Sequence, residues 1–444
     1  MRISSTSALL NRHLTYINPL MMKKLIIAVC CVALSLQTQA QQALPAYVNK
    51  HAAAIASIDP AHTDYSDLQA LKKAIGNSRI VMLGEQTHGE GSTFLAKTRI
   101  IQYLHEQLGF DVLAFESGFY DINKIWPQAE HGASFKALVP GNLFYMYATS
   151  EEMFPLFNYL QQQVKGVKPL AVTGFESQHS GAKAINEMMP DMEQFLAGHH
   201  SGLIDTGWQV FKTLCPPTFK SRDFRPDTAS MGLFFKEIAT LKAALKPASN
   251  KINADLLQDQ GFWYRVVCSI ESQAIRYWGF AKGNEINYRD LQMADNLIWL
   301  ADTVYAGKKI IVWAHNGHIA NTMGNSEGKG ALEDFYNTFI PMGAKLKKHY
   351  GNNVYALGFS GAAGKYMDYV SLKVVDVPAP AAGSIEAALA GTNKAAALLD
   401  YRTAGKILQQ NQVGCIGDFV PATAVWPRIF DGLFFIHNST PVTR

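Results

Sequence analysis

The residues of this sequence that are best suited to acid–base chemistry are glutamates and histidines with a glycine nearby. They occur in four short segments: Gly84-Glu85-Gln86-Thr87-His88-Gly89, Glu116-Ser117-Gly118, Gly174-Phe175-Glu176 and Ala314-His315-Asn316-Gly317-His318. Glycine permits tight turns and lets the backbone approach a ligand closely. The repeated pairing of carboxylate or imidazole with glycine therefore indicates loops of one functional site.

These residue types point to hydrolysis. An imidazole can take a proton from water near neutral pH and return it to a leaving alkoxide. We predict that His88 is this general base, and that Glu85 or Glu116 orients its ring and stabilises the imidazolium. His315 and His318 are predicted to polarise an ester carbonyl or to stabilise the oxyanion.

Activated water is the predicted nucleophile. A serine nucleophile is not predicted from Gly358-Phe359-Ser360-Gly361, because this segment lacks the spacing of a nucleophile elbow. We therefore expect cleavage of a carboxylic ester without a covalent intermediate. The predicted partner is a small-molecule ester or lactone.

Two other interpretations use the same residues. His88, His315, His318 and a glutamate could instead hold a divalent ion that activates water. Alternatively, an exported binding protein could keep this pocket without turnover, although two complete Glu/His segments argue against that. We predict no cofactor, with a divalent metal as the alternative. Measuring hydrolysis of a generic ester with and without a chelator distinguishes a metal-free hydrolase, a metal-dependent hydrolase and a binding protein.

The elements that must position these residues alternate along the chain. Short apolar runs, several of them rich in valine and isoleucine, predict strands buried on both faces. These runs are Arg79–Leu83, Asp111–Phe115, Leu170–Val172, Lys309–Trp313, Val354–Leu357 and Leu433–Ile436. Helical segments are predicted at Phe94–Leu108, ending at Gly109, and at Ser150–Val164. The pattern predicts an α/β fold with a mostly parallel central sheet flanked by helices.

Strand signals fade over about 181–300, where helical periodicity dominates, so we predict a helical insertion or subdomain there. The glutamate and histidine segments follow four of the predicted strands. In open α/β sheets, ligands bind beyond the carboxyl ends of the strands. The four segments are therefore expected to meet in one crevice.

The sequence resembles the erythromycin esterase family. The resemblance rests on the segments at Gly84–Gly89 and Trp313–His318 together with several shorter matches. Those matches are Lys97, Arg99, Gly109-Phe110, Phe115-Glu116, Arg289-Asp290, Met293-Ala294, Asn296 and Phe430-Asp431. The resemblance runs from about Leu68 to the end of the sequence, and it implies an erythromycin esterase-like catalytic domain, which we predict over 41–444, and a macrolide lactone as substrate.

The resemblance also implies a set of functional residues, namely Glu85, His88, Lys97, Glu116, His315 and His318. Lys97 and Glu176 are the predicted substrate-binding residues. Some family members have arginine where this chain has Lys97. Lysine keeps the charge but loses the bidentate fork, so substrate recognition is expected to differ.

The N-terminus has the three parts of a secretory signal peptide. Basic Met22-Lys23-Lys24 precedes the apolar run Leu25–Leu36, and Thr38-Gln39-Ala40 offers a cleavage site. We predict a signal peptide at 1–40, with a natural start at Met21 or Met22, and a periplasmic or secreted protein. The run is too short to span a bilayer, and Val29 before Cys30 disfavours lipidation, so no stable membrane anchor is predicted.

Composition excludes several classes of protein. The net charge is +4 and lysine and arginine are dispersed, so no nucleic-acid partner is predicted. Cleavage after Ala40 would leave three cysteines, Cys215, Cys268 and Cys415, which permit at most one disulfide within the chain. Since 48% of residues are hydrophobic, the fold is expected to rest on a large apolar core.

Overall fold

The computed structural model describes residues 43–249, 251–324 and 331–444, so the predicted signal peptide lies outside the described residues. The described strands are β1 Ala53–Ile55, β2 Ile80–Leu83, β3 Phe110–Gly118, β4 Ala171–Glu176, β5 Lys309–Trp313, β6 Val354–Asp368, β7 Lys373–Asp376, β8 Ala396–Asp400, β9 Gln412–Cys415, β10 Pro421–Ala424 and β11 Gly432–Ser439.

One sheet organises the molecule. Its strand order is β1-β8-β11-β6-β2-β5-β3-β4, and β7 pairs with the distal part of β6. The six strands from β11 to β4 run parallel, whereas β1, β8 and β7 pair antiparallel. Strands β9 and β10 form a separate antiparallel pair. The predicted mostly parallel α/β sheet flanked by helices is confirmed.

Both faces of the sheet are buried because successive side chains of a strand point to opposite faces. In β2, Ile80 and Met82 join the core on one face, while Val81 and Leu83 join the core on the other. Residues of β5 alternate in the same way. This explains why the central strands read as continuous apolar runs rather than alternating patterns.

Helices cover the two faces. They are α1 Gln69–Ile75, α2 Gly91–Leu108, α3 Phe119–Glu130, α4 Phe135–Leu138, α5 Tyr145–Thr149, α6 Phe154–Gln163, α7 Ala182–His199, α8 Thr206–Lys220, α9 Thr228–Leu245, α10 Gln260–Tyr277, α11 Glu285–Trp299, α12 Asn316–Ile319, α13 Ala331–Thr338, α14 Met342–Tyr350, α15 Ile385–Ala390 and α16 Trp426–Ile429. None of the described helices is long and apolar enough to cross a membrane.

Helices α7 to α11 lie between β4 and β5, where the sequence predicts a helical insertion. Three of them begin at aspartates, Asp205, Asp227 and Asp259, whose side chains each accept a hydrogen bond from the backbone N–H three residues ahead. Phe262 and Trp263 of α10 share one core with sheet residues. The three described cysteines are free thiols.

The strand register brings the glutamate and histidine segments to one edge of the sheet. Leu83, the last residue of β2, pairs with Trp313, the last residue of β5, and Trp313 pairs with Phe115 of β3. Glu116 and Glu176 lie at the carboxyl ends of β3 and β4. Four adjacent parallel strands therefore end at the same place.

Candidate active site

A cleft with two lobes opens at this edge of the sheet. The large lobe has a volume of about 1150 Å³ and the small lobe about 350 Å³. His88, Ile286, Arg289 and Tyr369 line both lobes. These four side chains therefore lie where the two lobes meet.

His88 is held in one orientation. Its Nδ1 lies 2.6 Å from Oε1 of Glu85, so the ring donates its Nδ1 proton to the carboxylate and keeps a lone pair on Nε2. Nε2 has no hydrogen-bond partner among the described residues. The rings of Phe144 and Tyr369 pack against the imidazole with centroids at 4.8 and 4.9 Å. The free nitrogen is thus available to the cleft.

Glu85 lies behind His88 and is fully buried. Lys97 donates to its Oε2 at 2.9 Å, and the Tyr147 hydroxyl donates to its Oε1 at 2.5 Å. Burial alone would raise the pKa of Glu85, but Lys97, His88 and Tyr147 lower it to about 2. The carboxylate is therefore ionised at neutral pH and can stabilise a positive charge on His88.

Lys97 does not reach the cleft. Its side chain is fully buried and its Nζ lies 3.9 Å from the centre of the Trp313 ring. It lines neither lobe. The structure therefore places Lys97, a predicted substrate-binding residue, behind the cleft, where its ammonium neutralises Glu85.

Arg289 on α11 joins the ends of two strands. Its Nη2 donates to Glu116 at 2.9 Å, and its Nε donates to Glu176 at 2.9 Å. Burial raises the pKa of both carboxyls, but His318 and Arg289 hold the pKa of Glu116 well below its usual range, and Arg289 lowers that of Glu176. Both glutamates line the large lobe as ionised groups.

His318 is enclosed by charged groups. Its Nδ1 lies 2.8 Å from Asp290, while its Nε2 lies 2.9 Å from Nη1 of Arg289 and 3.3 Å from Glu116. Burial lowers the pKa of His318, but Asp290 and Glu116 raise it to about 10. A pKa of about 10 gives a protonated ring at neutral pH, in which the Nε2–H donates to Glu116, whereas the 2.9 Å contact with Arg289 is a hydrogen bond only when the ring is neutral. Protonation of His318 therefore requires Arg289 to move away from Nε2.

His315 uses both of its ring nitrogens within the protein. Its Nε2 donates to the carbonyl of Gln86 at 2.7 Å, and its Nδ1 accepts from the N–H of Gly317 at 3.1 Å. Its backbone N–H donates to Glu116 at 2.9 Å. Burial, His88 and His318 lower the pKa of His315 to about 4, so the ring is neutral. In this conformation His315 braces the 84–89 loop and has no N–H left to offer a substrate.

Two glycines let the motif loops pack against their neighbours. A Cβ at Gly84 would lie 1.9 Å from the side chain of Asn316, which exchanges two hydrogen bonds with the backbone of Phe359. A Cβ at Gly89 would lie 1.8 Å from the carbonyl oxygen of Met367. The positions on either side of Glu85 and His88 therefore require glycine.

The family model for erythromycin esterase matches residues 105–439 of this chain. The chain belongs to the erythromycin esterase family. A Bacillus subtilis (strain 168) protein named "Putative hydrolase YbfO" is 27% identical over 424 residues, covering 89% of this chain and 91% of the relative. Erythromycin esterase type II of Escherichia coli is 25% identical over 407 residues, covering 85% and 93%.

The fold is also shared with a solved member of the family. The structure of an erythromycin esterase mutant in its open conformation matches 86% of this chain and 96% of that chain, with a TM-score of 0.65 and 17% identity. Membership of the erythromycin esterase family, with these relatives, supports hydrolase activity in the broad sense. The family match begins after residues 84–89, so the roles of Glu85 and His88 are argued from geometry.

In this erythromycin esterase family member, Glu85, His88, Glu116, Glu176, His315 and His318 gather at one sheet edge, as the strand ends predict. Sequence reasoning missed three residues as members of the site. Tyr147 bonds Glu85, Arg289 joins the two other glutamates, and Asp290 fixes His318. The Arg289-Asp290 pair resembles the family, which was a usable signal, whereas nothing in its own sequence context marks Tyr147.

Proposed function

We propose that this protein hydrolyses carboxylic esters or lactones with a water molecule that His88 activates. The observation that supports this best is the orientation of His88. Its Nδ1–H donates a hydrogen bond to the buried carboxylate of Glu85, which leaves the basic Nε2 at the junction of the two lobes. A base held by a carboxylate in this way is the arrangement that general-base catalysis requires.

In the proposed reaction, Nε2 of His88 takes a proton from water as the water oxygen bonds to the ester carbonyl carbon. The carbonyl π electrons move to oxygen and form an oxyanion. When the tetrahedral intermediate collapses, the C–O bond to the leaving group breaks and the His88 imidazolium returns the proton to the alkoxide. The products are a carboxylic acid, which ionises in water, and an alcohol. Glu85 remains ionised throughout and stabilises the imidazolium.

Arg289 is the proposed oxyanion partner. A guanidinium has five N–H groups. The Nε and Nη2 donors of Arg289 are directed at Glu116 and Glu176, so Nη1 is the guanidinium nitrogen that binds no carboxylate. Because Arg289 lines both lobes, this group is better placed for the role than the ring of His315, whose nitrogens are already occupied.

Direct attack by water is preferred to a serine nucleophile. One pentapeptide, Gly324-Asn325-Ser326-Glu327-Gly328, does have the Gly-x-Ser-x-Gly spacing. A nucleophile elbow lies between a strand and the helix that follows it. Here α12 already separates Gly324 from β5, and residues 325–330 lie outside the described ranges. The chain therefore passes through a helix between β5 and Gly324, which differs from the order of elements before a nucleophile elbow.

The histidine cluster does not fit a divalent ion in this arrangement. A metal needs a free nitrogen lone pair from each histidine. His315 and His318 each have both nitrogens engaged by protein groups, which leaves only Nε2 of His88. No group of three or more potential ligand residues is positioned to hold a metal in the described part of the chain. We therefore propose a mechanism without metal.

The proposed substrate class includes bulky lactones. A volume of about 1150 Å³ exceeds the roughly 300–1,000 Å³ of typical ligand sites. The small lobe adds the apolar side chains of Met323, Phe335 and Phe339. Because a relative is named as an erythromycin esterase, a macrolide lactone is the first large substrate to test.

The experiment measures hydrolysis of a chromogenic ester and of a macrolide, with and without a chelator. We expect ester turnover that survives chelation, and a macrolide product heavier by one water molecule. Absence of any ester turnover would contradict the proposed function. Complete loss of activity on chelation, restored by zinc or manganese, would instead support the metal-dependent reaction.

A further inference from the structure

Three arginines line the large lobe away from the proposed reaction centre. Arg276 lies at the end of α10, and Arg222 and Arg225 lie in the loop between α8 and α9. None of them forms an ion pair with any residue that the structure describes. Arginines lining a ligand cavity without a carboxylate partner are suited to an oxyanion, because the guanidinium fork matches carboxylate and phosphate oxygens.

Arg276 has a donor that no group in the described part of the chain satisfies. Its Nε donates weakly to the carbonyl of Ser272 at 3.4 Å, while its Nη2 is buried without a hydrogen-bond partner. Burial lowers the pKa of Arg276 to about 10, against the opposing effect of Glu176, so the group stays charged at neutral pH. A buried, charged and unpartnered donor is costly, and in a ligand cavity a bound group is a natural partner for it.

Tyr277 brings two of these charges together. The guanidinium carbons of Arg276 and Arg222 lie 5.3 and 5.8 Å from the centre of its ring. Arg225 donates to the backbone carbonyl of Arg222 at 2.6 Å and so orders the same loop. The three side chains therefore form one cationic wall, which we call the arginine wall.

No carboxylate of the described residues is bound directly to the arginine wall. Glu116 and Glu176 are already bonded to Arg289. Asp223 and Glu285 also line the lobe, but both are exposed and neither is within ion-pair distance of the arginines. Glu176 acts on Arg276 electrostatically, but Nη2 of Arg276 has no hydrogen-bond partner among the described residues, so this donor is open to a group of the substrate.

We propose that Arg276, with Arg222 and Arg225, binds a carboxylate or phosphate group of the substrate, so that the preferred substrate is an anionic ester. This inference rests on the proposed ester hydrolysis at His88. It defines the substrate class more closely: the scissile ester lies at the junction of the lobes and the anionic group lies against the arginine wall. Neutral esters lack the second contact and bind more weakly.

The test compares matched esters. The 4-nitrophenyl monoesters of succinic, glutaric and adipic acid carry a terminal carboxylate, and 4-nitrophenyl butyrate does not. The measured quantity is the ratio of kcat/KM for the best anionic ester to kcat/KM for the neutral ester. We expect the wild-type ratio to be at least about tenfold, since a hydrogen bond to a charged group contributes about ten- to a hundredfold in binding.

Variants locate the effect. Arg276→Gln should lower the ratio of kcat/KM values at least about tenfold, and Arg276→Lys should lower it less because the charge is kept. The double variant Arg222→Gln/Arg225→Gln should also lower the ratio, and because both residues are exposed it should leave the core undisturbed. Arg428→Gln is the matched control, because Arg428 is exposed and lines neither lobe. A wild-type ratio near one, or a ratio unchanged in Arg276→Gln and in the double variant, would overturn the proposal.

A binding measurement separates this inference from the proposed function. Calorimetric titration with glutarate and with inorganic phosphate needs no turnover. If no ester is hydrolysed, the proposed function fails, yet anion binding that is lost in folded Arg276→Gln still supports the arginine wall. If neither anion binds the wild-type protein, the subsite is rejected whatever the esters show. The better-bound anion identifies the preferred group.

Discussion

Glu85 is the residue on which the proposed chemistry depends most after His88 itself. It lines neither lobe of the cleft and acts through His88, so its role is positioning. The same carboxylate accepts from His88, Lys97 and Tyr147, and Lys97 is the buried cation that balances its charge. A single carboxylate therefore fixes the tautomer of the base and neutralises a buried ammonium.

Replacement of Glu85 by glutamine should affect both the catalysis by His88 and the stability of buried Lys97. Glutamine keeps the shape but loses the charge that stabilises the His88 imidazolium, so kcat should fall by about a hundred- to ten-thousandfold. Lys97 would also lose its ionic partner, which should cost about 3–5 kcal/mol of unfolding free energy. Ester kinetics and chemical denaturation measure the two effects.

The double variant Glu85→Gln/Lys97→Met is the control for stability. Removing the orphaned ammonium should restore much of the unfolding free energy, because no buried charge remains unpaired. Turnover should stay low, since the charge next to His88 is still missing. Recovery of wild-type kcat in this double variant would show that the carboxylate has no electrostatic role.

Sequence spacing revealed part of this residue-level arrangement. Glu85 and His88 stand three residues apart in a glycine-bounded loop, and that proximity made their pairing predictable. The position of Lys97 was not predictable in the same way. Its place on the buried side of α2 depends on Trp313 and on the charge of Glu85, which are brought there only by the sheet. A long polar side chain on a helix gives no local sign that it is buried.

At the scale of elements, the site depends on the contact between the loops after β2 and β5. Gly84 leaves room for Asn316, and Asn316 in turn holds the backbone of Phe359 on β6. Three neighbouring strands are therefore linked at their carboxyl ends. This link places the His88 loop and the His315 segment at a fixed separation.

Gly84→Ala should break this link. The added methyl would lie 1.9 Å from Asn316, so one loop must shift; we expect a loss of about 1–3 kcal/mol in unfolding free energy and a fall in kcat. Gly232→Ala is the control, because Gly232 lies within α9 with no atom near its Cβ position. Alanine there should stabilise the protein by about 0.5–1 kcal/mol. A Gly84→Ala protein with wild-type stability and kcat would contradict the packing argument.

Most elements were predictable where burial determines the pattern, although the buried strand β8 was missed because its alanines and leucines favour a helix. The six strands with continuous apolar runs are the six parallel strands of the sheet. The missed strands β1, β7, β8, β9 and β10 all pair antiparallel. Residues 373–376 of β7 are mostly exposed, and they do not alternate between an apolar and a polar face. Only their pairing with β6 makes them a strand. Long-range pairing of this kind leaves little trace in a single sequence.

At the scale of the whole molecule, buried carboxyl groups set the dependence of stability on pH. Burial raises the pKa of Glu90 from 4.5 to about 7, against hydrogen bonds from Ser439 and the loop backbone. Burial likewise raises the pKa of Asp121 from 3.8 to about 7. Glu85 acts in the opposite direction, because its pKa is lowered to about 2.

The unfolding free energy should therefore pass through a maximum at mildly acidic pH. The stabilisation that comes from the raised pKa of Glu90 is fully present below about pH 4.5 and is lost as pH rises through about 7. The loss in unfolding free energy is on the order of 3 kcal/mol. The contribution of Glu85 is present above about pH 4.5 and is lost as pH falls toward 2. Denaturation at closely spaced pH values measures the profile.

Glu90→Gln should flatten the loss between pH 4.5 and 7, because glutamine keeps the hydrogen-bonding shape without titrating. Glu106→Gln is a suitable control, since Glu106 is exposed on the same helix, α2. An unchanged slope in Glu90→Gln would show that this carboxyl does not titrate in the predicted range.

Export is a prediction about the whole chain. The basic residues, apolar run and small residues before Gln41 predict cleavage after Ala40 and a periplasmic or secreted product. Sequencing the N-terminus of the mature protein tests this. A mature chain that still contains residues 25–36 would contradict it.

The most direct test of the account is the turnover of His88→Gln. Glutamine keeps a polar side chain of similar reach but cannot accept the proton from water. We expect a folded protein whose kcat for a chromogenic ester is at least about a hundredfold below wild type, while KM changes much less. His131→Gln, at an exposed histidine outside both lobes, should retain wild-type kcat. A folded His88→Gln protein that keeps more than about a tenth of the wild-type kcat would contradict the role of His88 as general base.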